Sequence, residues 1–266
     1  MNENYLYRRL RDEDLADAMQ LVWDTFQKFE APDYSEEGIC DNTYEPVLDV
    51  KDIIALEKRI EAQGTSLLEL MKRAGLSVAQ YIRGRVDLPS PITIFCGTGN
   101  NGGDGWVVAD LLCIWGYNVS LVTTQPADAL SVEPARSAAR EVAAKKHAKL
   151  SILVNPGREQ LTSLIQETAL IVDAVLGTGF AGSDFKEPYK MWFETINSSR
   201  EINDKLIVVA VDVPSGLNAQ SGEAADHTVA AGATITMLAC KPGLILEHNK
   251  KYTGDIILAK IAPIDT

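Results

Sequence analysis

No stretch of eighteen uninterrupted apolar residues occurs in this sequence, which excludes a conventional membrane-spanning helix. The opening MNENYLYRRLRDEDL also lacks the apolar centre of a secretion signal, so a cytoplasmic location without membrane attachment is expected. Cysteine is scarce: Cys40, Cys96, Cys113 and Cys240 lie far apart with no C-x-x-C pair. Neither a zinc site nor a disulfide framework is suggested, and buried or free thiols are expected. Basic charge is short as well, with 25 Lys and Arg against 37 Asp and Glu and a net charge of -12. That balance argues against nucleic acid as a main partner, because a polyanion needs a basic surface. An anionic small molecule is still compatible, since backbone N–H groups bind phosphate without net positive charge.

What is present is ordinary for a globular protein: 46% apolar and 23% charged residues over 266 positions, enough for one large α/β domain or two small ones. The acidity is uneven. Residues 1–45 carry four basic side chains against twelve acidic ones, and the charge excess ends near Tyr44-Glu45-Pro46. An acidic N-terminal extension over 1–45 and a main domain over 46–266 are therefore expected. In the extension, 6–9 reads as a strand and 12–29 as a helix, too little to bury a core alone.

Beyond Pro46 the spacing predicts a helix over 50–62. Ser66-Leu67-Leu68-Glu69 has the form of a capping box opening a second helix, LLELMKRAGLSVAQYI. After Pro91 the pattern alternates. Apolar β-rich runs are expected at 92–96, 119–123, 151–154, 170–175, 206–211 and 233–238. Helices are expected up to about 115 and around 133–146, 159–167 and 188–196. Buried strands separated by helices of this length predict an α/β fold, a three-layer αβα sandwich on a mostly parallel sheet.

In such a sheet the loops after the strands share one carboxyl edge, where ligands bind. Three of them are unusual: CGTGNNGGDGW, VDAVLGTGFAGSDF and VAVDVPSGLNAQSG. The first holds G-x-G-x-x-G as Gly97, Gly99 and Gly102 between a strand and a helix, the context of a dinucleotide-binding turn. Yet the following strand, NVSLVTTQ, ends without the acidic residue that takes a ribose hydroxyl, and Asp104 would repel a pyrophosphate at the helix start. The loop is no P-loop either, lacking G-K-[ST]. Its polar groups, Asn100, Asn101 and Asp104, suit a hydroxylated, amide-bearing ligand. A tight turn capped by the aspartate would explain one or two of the five glycines.

In the second loop Asp173 stands within an apolar run, so a buried partner is expected for it. The N–H groups of Gly177-Thr178-Gly179 are free to take the pyrophosphate. In the third, Asp212 ends LIVVAVD and Pro214-Ser215-Gly216 turns the chain. Asp173, Ser215 and an asparagine amide together offer oxygen donors to a hard cation, which leaves Asp212 as the free carboxylate. The three histidines, His147, His227 and His248, lie outside these loops, so acid–base chemistry is expected from carboxylates.

LLELMKRAG, GTGNNGGDG, VDAVLGTGF, VAVDVPSGL and LACKPGL, in this order and spacing between 50 and 261, resemble the NAD(P)H-hydrate epimerases, the YjeF N-terminal domain family. The resemblance implies a Rossmann-like domain, usually a homodimer, that interconverts the R and S forms of hydrated NADH and NADPH. It implies that Asn100, Asn101, Gly102, Gly103 and Asp104, with Gly177, Thr178, Gly179, Phe180, Ala181, Gly182 and Ser183, contact the nucleotide, and that Asp212 meets the hydrated ring. It also implies a potassium ion held by Asn101, Asp173 and Ser215, and a catalytic role for Lys241, whose alternative is a surface lysine beside a turn. Bifunctional relatives append an ADP- or ATP-dependent dehydratase; here such an enzyme is expected to be a separate pathway partner. Residues 1–41 resemble the opening of a GNAT-type acyltransferase without its acetyl-CoA loop, so acyl transfer is not expected.

Two other functions compete with the epimerase. A binding or scaffolding module of the same fold would be expected to lose the loop asparagines and aspartates, which are all present. A hydride-transferring dehydrogenase is disfavoured by the missing ribose-binding acid. For the epimerase, one expected route has the nitrogen lone pair of the hydrated ring expel the C6 hydroxyl once an acid protonates it, with water returning to either face; the competing route opens the ring at C6 to an aldehyde and recloses it. Asp212 is the expected acid: burial beside Asp173 favours its protonated form and a bound cation opposes it.

Overall fold

The computed structural model describes residues 46–262. The strand at 6–9, the helix at 12–29, the extension over 1–45 and the GNAT-like stretch lie outside the described residues. The described part builds seven strands: β1 Pro91–Cys96, β2 Asn118–Thr123, β3 Leu150–Val154, β4 Leu170–Ala174, β5 Ile207–Val211, β6 Ala233–Met237 and β7 Asp255–Ala259. They form one sheet in the order β3-β2-β1-β4-β5-β6-β7, and each neighbouring pair is parallel. The strand order reverses between β1 and β4, which opens a crevice at their carboxyl ends.

The helices are α1 Val50–Ala62, α2 Leu67–Arg83, α3 Asn100–Ile114, α4 Ala135–Lys145, α5 Arg158–Gln166, α6 Tyr189–Ile202 and the single turn α7 Lys250–Thr253. Ser66 opens α2 as expected, its Oγ accepting from the Glu69 N–H at 3.2 Å. The Glu69 carboxylate turns forward to Arg73, so only one side of the capping box is closed.

Alternation along the strands divides the core. Ile92, Ile94 and Cys96 of β1, with Val172, Ala174, Val209 and Val211, pack beneath α1, α2 and α3 through Leu56, Val78, Ile82, Trp106 and Leu112. Phe95, Ile171, Val208 and Ala210 point the other way, onto Leu161 and Ile165 of α5 and Trp192, Phe193 and Ile196 of α6. These two cores are the two interlayer spaces of an αβα sandwich.

Three details depart from the sequence reading. β7 is a seventh strand that the apolar runs do not mark, and α6 continues to Ile202, six residues past the expected end. Cys96 and Cys113 are buried thiols, but Cys240 is disulfide-bonded, against the expectation of free thiols. Among the described residues no helix is long and apolar enough to cross a membrane.

Candidate functional site

The loops after β1, β4 and β5 and the turn after β6 meet at the carboxyl edge of the sheet, with α1 and α2 beside them, around a cleft of about 640 Å³. Thr98, Gly99, Asn100, Asn101 and Asp104 line it from the first loop, Leu176 to Ala181 from the second, Asp212 from the third and Lys241 from the turn after β6.

The glycine-rich loop turns directly into α3, with Gly99 as N-cap and Asn100 and Asn101 in the first turn. Most of its glycines serve packing. A Cβ on Gly102 would stand 2.0 Å from the Gly97 carbonyl oxygen, and one on Gly103 would meet Met71 of α2 at 2.6 Å. Gly102 and Gly103 are thus buried behind the cleft lining, whereas Gly99 faces open space. Gly182 and Ser183 also stand outside the lining, and Thr178 to Ala181 lie within it. Asp104 does not cap a tight turn; it is the fifth residue of α3 and lines the cleft from the helix body.

Asp173 finds the partner that its burial demands. The carboxylate is 0% exposed and accepts from the Ser215 N–H at 2.7 Å and the Ser215 hydroxyl at 2.6 Å, with the Val175 N–H at 3.3 Å. Burial pushes its pKa up to about 6, and the bonds from Ser215 and Val175 oppose that rise. The Ser215 hydroxyl oxygen in turn accepts from the Leu176 N–H at 2.8 Å, which ties the second and third loops together. Beside them Asn101 donates through Nδ2 to the Leu176 carbonyl at 3.0 Å, while its Oδ1 is buried without a hydrogen-bond partner. An orphaned buried amide oxygen beside a carboxylate and a hydroxyl is the donor set of a hard cation.

Asp212 is built differently. Its backbone has φ 64°, a left-handed conformation that aspartate tolerates better than most residues but that still costs energy. Its N–H donates to the Ile235 carbonyl at 2.7 Å, which holds the turn against β6. The side chain accepts at Oδ1 from the Met237 N–H at 3.2 Å, from Thr236 at 3.4 Å and from the Lys241 ammonium. Lys241 is no surface lysine: it is 1% exposed, and its remaining donors go to Thr236 Oγ1 at 2.8 Å and the Met237 carbonyl at 2.9 Å. All three ammonium hydrogens are therefore occupied. The charge bonded to Asp212 is thus the ammonium of Lys241.

Two carboxyl groups remain without such a partner. Asp104 lies far above the usual carboxylate range because of burial first, then the negative charges of Asp212 and Glu57, with Lys241 opposing. Glu57 of α1, a cleft residue that sequence reasoning missed, is raised by burial and then by Asp212. Its neighbours on α1 carry the only available signal: Ile53, Leu56 and Ile60 form the buried stripe, and Glu57 follows Leu56 at its margin.

Residues 67–243 match the family model described as YjeF-related protein N-terminus. A bifunctional NAD(P)H-hydrate repair enzyme Nnr of Coxiella burnetii is 34% identical over 211 residues, 79% of this chain and 40% of that protein. The NAD(P)H-hydrate epimerase of Lentilactobacillus buchneri is 32% identical over 209 residues, 77% of this chain and 88% of that one. The chain spans about two fifths of the length of the bifunctional relatives it matches. Its fold is shared with the crystal structure of yeast ynu0, at a TM-score of 0.67 and 23% identity over 83% of this chain and 91% of that one.

Proposed function

From the premise that the chain belongs to the YjeF-related N-terminal family, we propose that it is an NAD(P)H-hydrate epimerase, an isomerase that interconverts the R and S forms of hydrated NADH and NADPH. One observation carries the reading. Asp212, in a left-handed turn and bonded to buried Lys241, shares a single cleft with the Asn100–Asp104 turn and the 177–181 loop. The exposed backbone of 177–181 suits the pyrophosphate, the amides of Asn100 and Asn101 suit ribose and carboxamide groups, and Asp212 suits a ring that becomes cationic.

Asn101, Asp173 and Ser215 would hold potassium, for which the orphaned Asn101 Oδ1 is the supporting observation. Among the described residues no group of three or more His, Cys, Asp or Glu is placed for a metal, so such an ion rests on mixed amide, hydroxyl and carboxylate oxygens. When bound, it supplies positive charge beside the buried Asp173 carboxylate and fixes the loop ends. The same reading gives a cytoplasmic homodimer that works with a separate ADP- or ATP-dependent dehydratase. The acidic residues 1–45 form an extension with no part in the chemistry.

The test is direct. Purified protein mixed with one epimer of hydrated NADH or NADPH is followed by chromatography, with potassium or sodium as the cation. Rapid approach to an R/S mixture is expected. An epimer that persists as long as it does without protein rejects the reading.

A further inference from the structure

Expelling hydroxide from the hydrated ring requires a carboxyl group that holds a proton and reaches the ligand. Asp212 is poorly placed for this, because its Oδ1 already collects the Lys241 ammonium, the Met237 N–H and the Thr236 hydroxyl. Asp104 is its opposite. It lines the same cleft, and among the described residues it makes no ion pair and no side-chain hydrogen bond, its surroundings being burial and charge alone.

Four elements supply that surround. Glu57 comes from α1, the Cys96 thiol from the end of β1, Asp212 from the turn after β5 and Lys241 from the turn after β6. Three carboxyl groups therefore face one ammonium, and Asp212 bonds the ammonium directly. A second negative charge in this enclosure is unfavourable unless a proton neutralises it.

We propose that Asp104 is the general acid of the site, that Asp212 is the carboxylate that stabilises the cationic ring, and that Glu57 is a positioning residue that keeps the proton on Asp104. The inference rests on the epimerase reading above and assigns its chemistry. The Asp104 carboxyl proton passes to the C6 hydroxyl. The C6–O bond breaks with its electron pair going to oxygen, water departs, and the N1 lone pair forms the N1–C6 π bond. The planar iminium faces the Asp212 carboxylate. On return, water adds to either face of C6, the π pair goes back to N1, and the surplus proton goes to the Asp104 carboxylate. The cycle closes with no net change in protons or electrons.

The 266-residue chain, Asp104→Asn and Glu57→Gln are compared for R/S interconversion across pH and in ¹⁸O-labelled water, with binding of intact NADH as a control. An acid must be protonated to act, so parent activity should fall on the alkaline side. Asp104→Asn should lose about 10²–10⁴-fold in rate while binding NADH as the parent does. Glu57→Gln removes a negative charge that holds the proton in place, so its alkaline fall should move to lower pH. A residue with a merely structural role would leave that limb in place. Product should acquire label as it epimerises. A folded Asp104→Asn at parental rate, an unmoved alkaline limb in Glu57→Gln, or product that keeps its original oxygen overturns the assignment. If Asp104→Asn does not fold, the Glu57→Gln limb decides. A parent protein without interconversion at any pH rejects the epimerase reading itself, an outcome distinct from active parent with indifferent variants.

Discussion

Asp173 and Asp212 stand near the carboxyl ends of neighbouring parallel strands, and in sequence they look alike, each a lone carboxylate in or at the end of an apolar run. The structure gives them opposite environments. Asp173 is still inside β4, in register with Ala210 of β5, and every bond it makes is to Ser215 or Val175. Asp212 lies one residue past β5 with its backbone turned to positive φ, and it meets a buried ammonium at the cleft. Strand position and backbone direction separate a carboxylate sealed by neutral hydrogen-bond donors from one that is bonded to an ammonium and lines the cleft. Position at the edge of the sheet is common to both, and the charge of the partner decides the role.

Neutralising the cleft-facing member should have the largest effect. Asp212→Asn keeps the shape of the group and removes the charge opposite the developing cation. A loss of about 10²–10³-fold in R/S interconversion is expected, with NADH binding retained. Parental rate in this variant would remove the distinction between the two aspartates. Lys241→Met tests the partner rather than the carboxylate. It leaves Asp212 Oδ1 without its strongest donor, and loss of a bond to a charged group should lower stability by about 1.5–3 kcal/mol in urea unfolding. An unchanged midpoint would mean that the ammonium does not hold the turn.

Much of this is readable in the amino-acid sequence alone. The runs at 92–96, 119–123 and 170–175 mark β1, β2 and β4 because strands buried on both faces are rich in apolar residues, and such runs are visible without knowing their neighbours. Asp255–Ala259 escapes because it has four apolar residues behind a charged one and becomes a strand only by pairing with β6. Asp173 was legible for the same reason that β4 was, as a charge inside an apolar run. Lys241 and Glu57 were not legible as a pair of opposite charges around one cleft, since each has an unremarkable local sequence and they are brought together by α1 and the turn after β6. Five glycines in eleven residues suggest a ligand, and the structure adds a packing reason for two of them: a Cβ on Gly102 would meet the Gly97 carbonyl and one on Gly103 would meet Met71.

The smaller effects probe the sealed member. Asp173→Ala removes the carboxylate to which the Ser215 N–H and hydroxyl donate, so epimerisation should lose its dependence on potassium. If the variant responds to replacement of sodium by potassium as the parent does, the ion is held elsewhere.

Ser215→Ala is the mildest change and the most discriminating. The Ser215 N–H still donates to Asp173 Oδ2, so the carboxylate keeps one of its two bonds from this residue. What disappears is the hydroxyl, which donates to Asp173 Oδ1 at 2.6 Å and accepts from the Leu176 N–H at 2.8 Å. Deleting one intramolecular hydrogen bond typically costs about 1 kcal/mol, so losing these two should cost about 2 kcal/mol, and the space of one oxygen atom at a fully buried site leaves little room for water to replace it. A stability loss of about that size is expected in urea unfolding, together with a weakened potassium response. The two readouts separate two roles for the hydroxyl. If stability falls while the potassium response is parental, Ser215 only ties the second loop to the third. If the potassium response weakens as well, the same oxygen serves the ion, and the sealed carboxylate and its serine act as one cation site beside the cleft that Asp212 faces.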